Sequence, residues 1–242
     1  MPAVEFRDVT YEIADRVILS HISFTVESGE TLVLLGRSGS GKTTALKLIN
    51  GMLFPTSGQV FVEGRPTSDW EPTRLKRRIG YVIQEVGLFP HFTVAQNVAL
   101  VPTLEGWSPT DIANRVDALL QKVGLPPAEF RRRYPRQLSG GQRQRVGIAR
   151  ALAADPTLLL FDEPFGALDP VTRRELRRQF LTWNRDFHKT SIFVTHDVRE
   201  ALQLCTRIAL LAGGMLETIA APAEFRRAQT AEARAFLAEL ED

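Results

Sequence analysis

Residues 31–44, TLVLLGRSGSGKTT, decide how this chain is read. The run TLVLL has the continuous apolar character of a strand buried on both faces. Three glycines, two serines and one lysine follow it, and KTTALKLIN then takes up helical spacing at Leu46 and Ile49, with Asn50-Gly51 expected to stop the helix before Met52. A flexible Gly/Ser linker would need neither the strand before it nor Lys-Thr at its end. Gly36, Gly41, Lys42 and Thr43 meet the pattern G-x-x-x-x-G-K-[ST] in a strand–loop–helix setting. Glycines let successive backbone N–H groups converge on an anion at a helix start. Lys42 adds a mobile positive charge for β- and γ-phosphates, and the Thr43 hydroxyl is a donor for Mg²⁺.

On either side the pattern alternates between strands and helices. VEFRDVTYEI and HISFTVESGE read as strands before the loop, and GQVFVEGR and RRIGYVIQ as strands after it. Beyond residue 137 come helix GQRQRVGIARALAA, strand TLLLF, helix PVTRRELRRQFLTWNRDF, strand SIFVT, helix VREALQLC and strand RIALLAGG. Such alternation predicts a mainly parallel sheet covered by helices, an α/β fold with a β-rich N-terminal region. Between about 85 and 137 the texture is helical. SPTDIANRVDALLQKVGL is its clearest helix: Ser108 caps it, Pro109 takes the first position, Asp111 completes a capping-box pattern and Gly124 ends it. Ile112, Val116, Leu119, Leu120 and Val123 form its apolar face. One domain over 1–242 is expected, with a catalytic core of 1–84 and 138–220, a helical sub-domain over 85–137 and a short helical tail over 221–242.

Composition narrows the function classes. Hydrophobic residues make up 44% and charged residues 24%, an ordinary globular balance, and 30 Lys+Arg against 28 Asp+Glu leave a net charge of +2. The arginine clusters RLKRR, RRRYPR and RRELRR are scattered among acids and read as solvated faces, so no nucleic-acid partner is expected. One cysteine, Cys205, excludes an internal disulfide and a thiolate metal cluster. No apolar run reaches the length of a membrane span, and a soluble, cytoplasmic chain is expected.

Phosphate chemistry needs an acidic residue at a strand tip. LLLFDEP supplies Asp162 for the metal and Glu163 to take a proton from attacking water. LSGGQRQR, Leu138 to Arg145, is a second glycine-rich helix start, about a hundred residues after the first. One nucleotide does not need both within one subunit; the pair makes sense if the second loop closes over a γ-phosphate held by a partner chain.

The ordered set GRSGSGKTT, the glutamine of YVIQE, LSGGQ, LLLFDEP, GALD and VTH resembles the ATPase subunits of ABC transporters, over nearly the whole chain. The resemblance implies a nucleotide-binding set of Tyr11, Gly36, Arg37, Ser38, Gly39, Ser40, Gly41, Lys42, Thr43, Thr44, Ser139, Gly140, Gly141, Gln142 and Asp169. It implies catalytic roles for Lys42, Gln84, Glu163 and His196, and Mg²⁺ at Thr43, Gln84 and Asp162. Tyr11 would stack on adenine, Gln84 would touch the metal or its water, and Ser139 to Gly141 would reach the γ-phosphate across a dimer. Asp169 would contact the opposite subunit, and His196 would orient Glu163 and its water. His196 follows strand SIFVT directly, so it is expected at the sheet edge that carries Asp162. His21, His91 and His188 read as ordinary surface or core histidines.

The same resemblance implies ATP and Mg²⁺ as cofactors, a second ATPase copy, a separate solute-binding protein and a permease docking near 85–100, with the chain peripheral at the cytoplasmic membrane face. Leu88, Phe89, Phe92 and Val94 could serve that docking or the core of the insertion. RRIGYVIQEVGLFPHFTVAQNVALVPTLEGW is similar to the ATPases of quaternary-amine uptake systems, for glycine betaine, choline or carnitine. Many of these continue into CBS modules; after PAEFRRAQTAEARAFLAELED no such sensing is expected here. Another small-solute transporter, or a soluble ABC ATPase acting on ribosomes or DNA, are the alternatives.

Overall fold

The computed structural model describes residues 1–187 and 189–240; His188 and the last two residues of the tail lie outside the described residues. The chain opens with β1 (Val4–Ile13), β2 (Arg16–Val26), β3 (Thr31–Leu35), α1 (Lys42–Ile49), β4 (Ser57–Val62) and the short β5 (Arg65–Pro66). Next come α2 (Pro72–Arg78), β6 (Ile79–Val82), α3 (Val94–Leu104), α4 (Pro109–Lys122) and α5 (Pro127–Phe130). The remainder is α6 (Gly140–Leu152), β7 (Leu158–Asp162), α7 (Pro170–Phe187), β8 (Thr190–Thr195), α8 (Val198–Leu204), β9 (Arg207–Ala212), β10 (Met215–Ala220), α9 (Pro222–Phe225) and α10 (Ala231–Ala238). Backbone contacts sort these into two compact units, Met1–Lys76 with Lys189–Asp242, and Arg77–His188.

In the first unit, β2, β1, β4 and β5 form an antiparallel sheet, and β3 runs parallel to both β8 and β9, with β10 antiparallel at β9. All five residues of β3 are buried, as a strand covered on both faces requires. Bidentate pairing of Arg207 with Glu30, at 2.5 and 2.9 Å, ties the start of β9 to the residue before β3. Helix α1 stops at Asn50, where Gly51 turns left-handed at φ +66° and Met52 is left exposed.

In the second unit β6 and β7 pair in parallel, accompanied by α3, α4 and α6. Val116, Leu119, Leu120 and Val123 of the predicted α4 face are buried, and Ile112 is half-buried. The capping box at its start is only half made. Ser108 Oγ accepts the Asp111 N–H, but the Asp111 carboxylate takes the Ser108 hydroxyl at 2.7 Å. An aspartate is a methylene shorter than the glutamate that usually reaches back to the capping backbone. Helices α4 and α6 cap each other's exposed carbonyls: Arg115 donates to Leu152 O and Ala153 O, and Arg145 to Val123 O.

Candidate nucleotide site

The loop from Gly36 to Gly41 joins the end of β3 to the start of α1. Gly39 and Gly41 sit at φ +81° and +97°, a left-handed backbone that L side chains resist. A Cβ on Gly36 would lie 2.3 Å from Leu211 O and 2.6 Å from Ser40 Oγ, and one on Gly41 2.4 Å from a Leu19 methyl. The curl therefore depends on glycine at its ends. Lys42 is buried, and its ammonium donates to Gly36 O at 2.7 Å and Arg37 O at 2.8 Å, so the cation is held at the loop it is meant to serve. Ser40 Oγ is buried with no hydrogen-bond partner among the described residues. Together these features fit a phosphate, which would offer acceptors to Ser40, Lys42 and the loop amides. Arg37, Ser38 and Gly39 are exposed, while Thr43 and Thr44 are half-buried on the first turn of α1.

Two further predicted residues join the loop within the first unit. Tyr11 on β1 pairs with Leu19 on β2, and Leu19 is the residue that packs at Gly41. His196 follows β8, whose Thr195 pairs with Leu35. Gly36 and His196 are therefore each one step beyond the same rung of neighbouring parallel strands. The backbone around the histidine is fixed: Thr195 Oγ1 donates to Glu200 at 2.7 Å and accepts from Asp197 N, while Asp197 caps α8. His21 and His91 are exposed, as expected of ordinary histidines.

The second unit carries the acidic group. Asp162, 8% exposed, ends β7, and Glu163 follows with φ +44°, a strained conformation for a side chain of this kind. Gly166 N–H donates to Glu163 O, closing the turn. A Cβ on Gly166 would meet Gln84 Nε2 at 3.5 Å and Glu163 Oε2 at 3.6 Å, so the two predicted side chains converge over that glycine. Burial first, then the charge and hydrogen bond of Asp162, push the Tyr81 phenol above its ordinary value. Among the described residues no three His, Cys, Asp or Glu side chains could hold a metal by themselves. The Asp162 carboxylate is a hard oxygen donor of the kind Mg²⁺ takes, one or two carboxylates alongside substrate phosphates.

The glycine-rich turn at 138–142 starts α6. Ser139 Oγ accepts Gln142 N–H and Gln142 Oε1 accepts Ser139 N–H, a complete capping box. Gly141 is packed so closely that a Cβ would meet Thr172 at 2.6 Å, and Gly140 lies beside Leu168. Asp169 caps α7 through the Val171 and Thr172 amides, and the bonds from Thr172 hold its carboxyl below the ordinary value.

Several positioning residues escaped the sequence reading. Arg173, from a cluster expected to be solvated, donates to the Phe165, Gly166 and Leu168 carbonyls and so fastens the turn after Glu163. Arg150 donates to Val86 O and Gly87 O, and burial lowers its pKa. Asn97, fully buried, bonds Phe89 N and the Phe89, Phe92 and Thr93 carbonyls. None of the three sits in a motif.

Known proteins resemble this arrangement closely. The family model described as ABC transporter matches residues 19–166. The choline transport ATP-binding protein of Bacillus subtilis is 44% identical over 90% of this chain and 57% of its own length. The glycine betaine/carnitine/choline transport ATP-binding protein of the same organism is 46% identical over 86% of this chain and 55% of its own. The chain thus spans a little over half the length of these relatives. The dimeric structure of a post-hydrolysis state of an ATP-binding cassette bound to ADP and Pi is 33% identical, with a TM-score of 0.79 over 90% of this chain and 98% of that one. A matched family model over more than half the sequence and a shared fold at this identity place the chain in the ABC transporter family, as a member carrying its ATP-binding cassette.

Proposed function

We propose that this chain binds and hydrolyses ATP to energise uptake of a small quaternary amine, glycine betaine or choline, through a separate permease. The observation that carries the reading is the phosphate loop: a buried ammonium doubled back on Gly36 and Arg37, an unpaired buried Ser40 hydroxyl, and His196 in register with Gly36. The choline and glycine betaine/carnitine/choline transport roles of the two Bacillus subtilis relatives support the cargo.

In this reading Lys42 and the amides of residues 36–44 hold the β- and γ-phosphates, and Tyr11 stacks on adenine. Thr43 and Asp162 supply oxygens to Mg²⁺, with Gln84 touching the ion or its water. The ion's chemistry is to neutralise charge that develops on the phosphoryl oxygens. Glu163 accepts the proton of the attacking water, and His196 orients that pair. Ser139, Gly140, Gly141, Gln142 and Asp169 act on the nucleotide of a second copy, so that two chains enclose two ATP molecules.

The second unit contains a cleft of about 330 Å³ lined by Gln84, Val86, Leu88, Pro135, Arg143 and Gln144. Phe89 beside it is 40% exposed, and Gln144 Nε2 is buried without a partner among the described residues. These features support docking of a cytoplasmic permease helix near 85–100, with 85–137 acting as a helical sub-domain of one cassette and 221–242 as a tail. Among the described residues no helix is long and apolar enough to cross a membrane, which suits a peripheral subunit at the cytoplasmic face. A separate solute-binding protein completes the system, and nucleic acid has no part in it.

The test is uptake of labelled betaine, choline and proline by cells with and without this subunit, alongside Mg²⁺-dependent phosphate release by the purified chain. Betaine or choline uptake that depends on the subunit supports the reading. Equal uptake of all three solutes would remove the cargo; absence of phosphate release in the reconstituted transporter would remove the enzyme.

A further inference from the structure

We propose that Tyr81 is a positioning residue for Asp162: its phenol bonds one carboxylate oxygen and so restrains the rotation of the strand-tip carboxylate that is offered to a nucleotide-bound cation. The inference rests on the reading of Asp162 as a Mg²⁺ donor.

The geometry follows from strand register. β6 and β7 are parallel, with Tyr81 opposite Leu160 and Val82 opposite Phe161. Side chains two residues apart share a face, so Asp162 lies diagonally ahead of Tyr81 on the same side of the pair. A tyrosine is long enough to span that diagonal. Its Oη donates to Asp162 Oδ2 at 3.3 Å in a part-buried setting.

The position of the ring is not free to drift. Ile79 and Val82 are buried at 6% and 1% exposure. Gly80, between Ile79 and Tyr81, packs so tightly that a Cβ there would lie 2.4 Å from Ala151 O in α6. The strand carrying Tyr81 is thus locked against the helix behind it, and the hydroxyl arrives at Asp162 from one fixed direction.

A carboxylate can turn about its last torsion and can bind a cation through one oxygen or both. A neutral phenol donor at Oδ2 restrains that rotation, without adding a second negative charge that would over-bind the ion. Groups that orient a ligating carboxylate in this way typically contribute about 10–100-fold to metal affinity. At 3.3 Å the hydrogen bond is long for a hydroxyl and a carboxylate, which places Tyr81 at the lower end of that range. Tyr81 itself touches neither nucleotide nor water in this scheme, so its removal acts on the cation's affinity and not on the chemical step.

The experiment compares the full chain with Tyr81→Phe, which keeps the ring and removes only the hydroxyl. Mn²⁺ binding in the presence of a non-hydrolysable ATP analogue is read by electron paramagnetic resonance, nucleotide binding without metal by a fluorescent analogue, and folding by thermal melting. The expected result is Mn²⁺ affinity weaker by about 10-fold, with metal-free nucleotide affinity and melting temperature unchanged. The Mg²⁺ concentration for half-maximal hydrolysis rises by the same factor, while the rate at saturating Mg²⁺ stays within about threefold. Mn²⁺ affinity within twofold of the parent, or an equal loss of metal-free nucleotide binding, overturns the role of Tyr81 alone. A parent chain that takes up no Mn²⁺ with nucleotide overturns the reading of Asp162 and this inference with it.

Discussion

Gly36 shows how closely a single position constrains the site. A methyl there would press on the Leu211 carbonyl and on Ser40 Oγ at once, and the first of these is backbone that cannot swing aside. Gly36→Ala is expected to destabilise the chain by about 1–3 kcal/mol and to lower its melting temperature by several degrees, with nucleotide affinity falling at least tenfold; calorimetry and a fluorescent nucleotide would check both. Cys205 makes a different prediction. Burial, with a smaller push from Glu30 and against a hydrogen bond from its own backbone, raises its thiol from 9.0 to about 12. At pH 8 the native chain then holds roughly a thousandfold less thiolate than an ordinary cysteine. Alkylation by iodoacetamide, followed by mass spectrometry, should keep climbing beyond about pH 10 in the folded chain but level off near pH 10 in urea.

Among elements, the segment before α3 depends most on one side chain. Asn97 pairs the Phe89 N–H and the Phe92 carbonyl, and adds to the backbone bonds that the Phe89 and Thr93 carbonyls already accept. Asn97→Ala should cost about 2–3 kcal/mol, since buried groups are left unpaired, and should speed amide exchange over residues 86–93 more than elsewhere. Much of the element pattern was legible beforehand. TLVLL announced a strand buried on both faces, and the spacing of Val116, Leu119, Leu120 and Val123 fixed one face of α4, because periodic burial writes itself into sequence. Bonds between distant residues leave no such trace. The reciprocal caps of Arg115 and Arg145, the Arg173 clamp and the Tyr81–Asp162 contact are matters of which side chains meet after folding. β10 went unread because MLETIA is half-exposed along most of its length and shows no clean alternation. The four apolar residues left open between core and docking divide: Val94 is fully buried, whereas Phe89 keeps 40% of its surface exposed.

For the whole molecule, the decisive prediction separates gripping ATP from splitting it. Glu163→Gln should bind ATP within about threefold of the parent while hydrolysis falls by about 10²–10⁴-fold, and with ATP and Mg²⁺ it should elute as a dimer. Lys42→Ala should weaken binding itself by tenfold or more, because the charge lost is the one held at Gly36 and Arg37. Steady-state turnover and size-exclusion chromatography read the two apart. A Glu163→Gln chain that binds ATP yet never pairs, even beside its permease, would count against enclosure of the nucleotide by two copies. The pairing of Leu35 with Thr195 carries a mechanical corollary. Two grips bolted just beyond the same rung of neighbouring strands, about 4.8 Å apart, have no lever arm against each other. Ligand arrival can stiffen that ladder but cannot pry it, so amide exchange at Val33 and Val194 should stay slow with or without ATP, and any power stroke must be carried by parts bolted elsewhere.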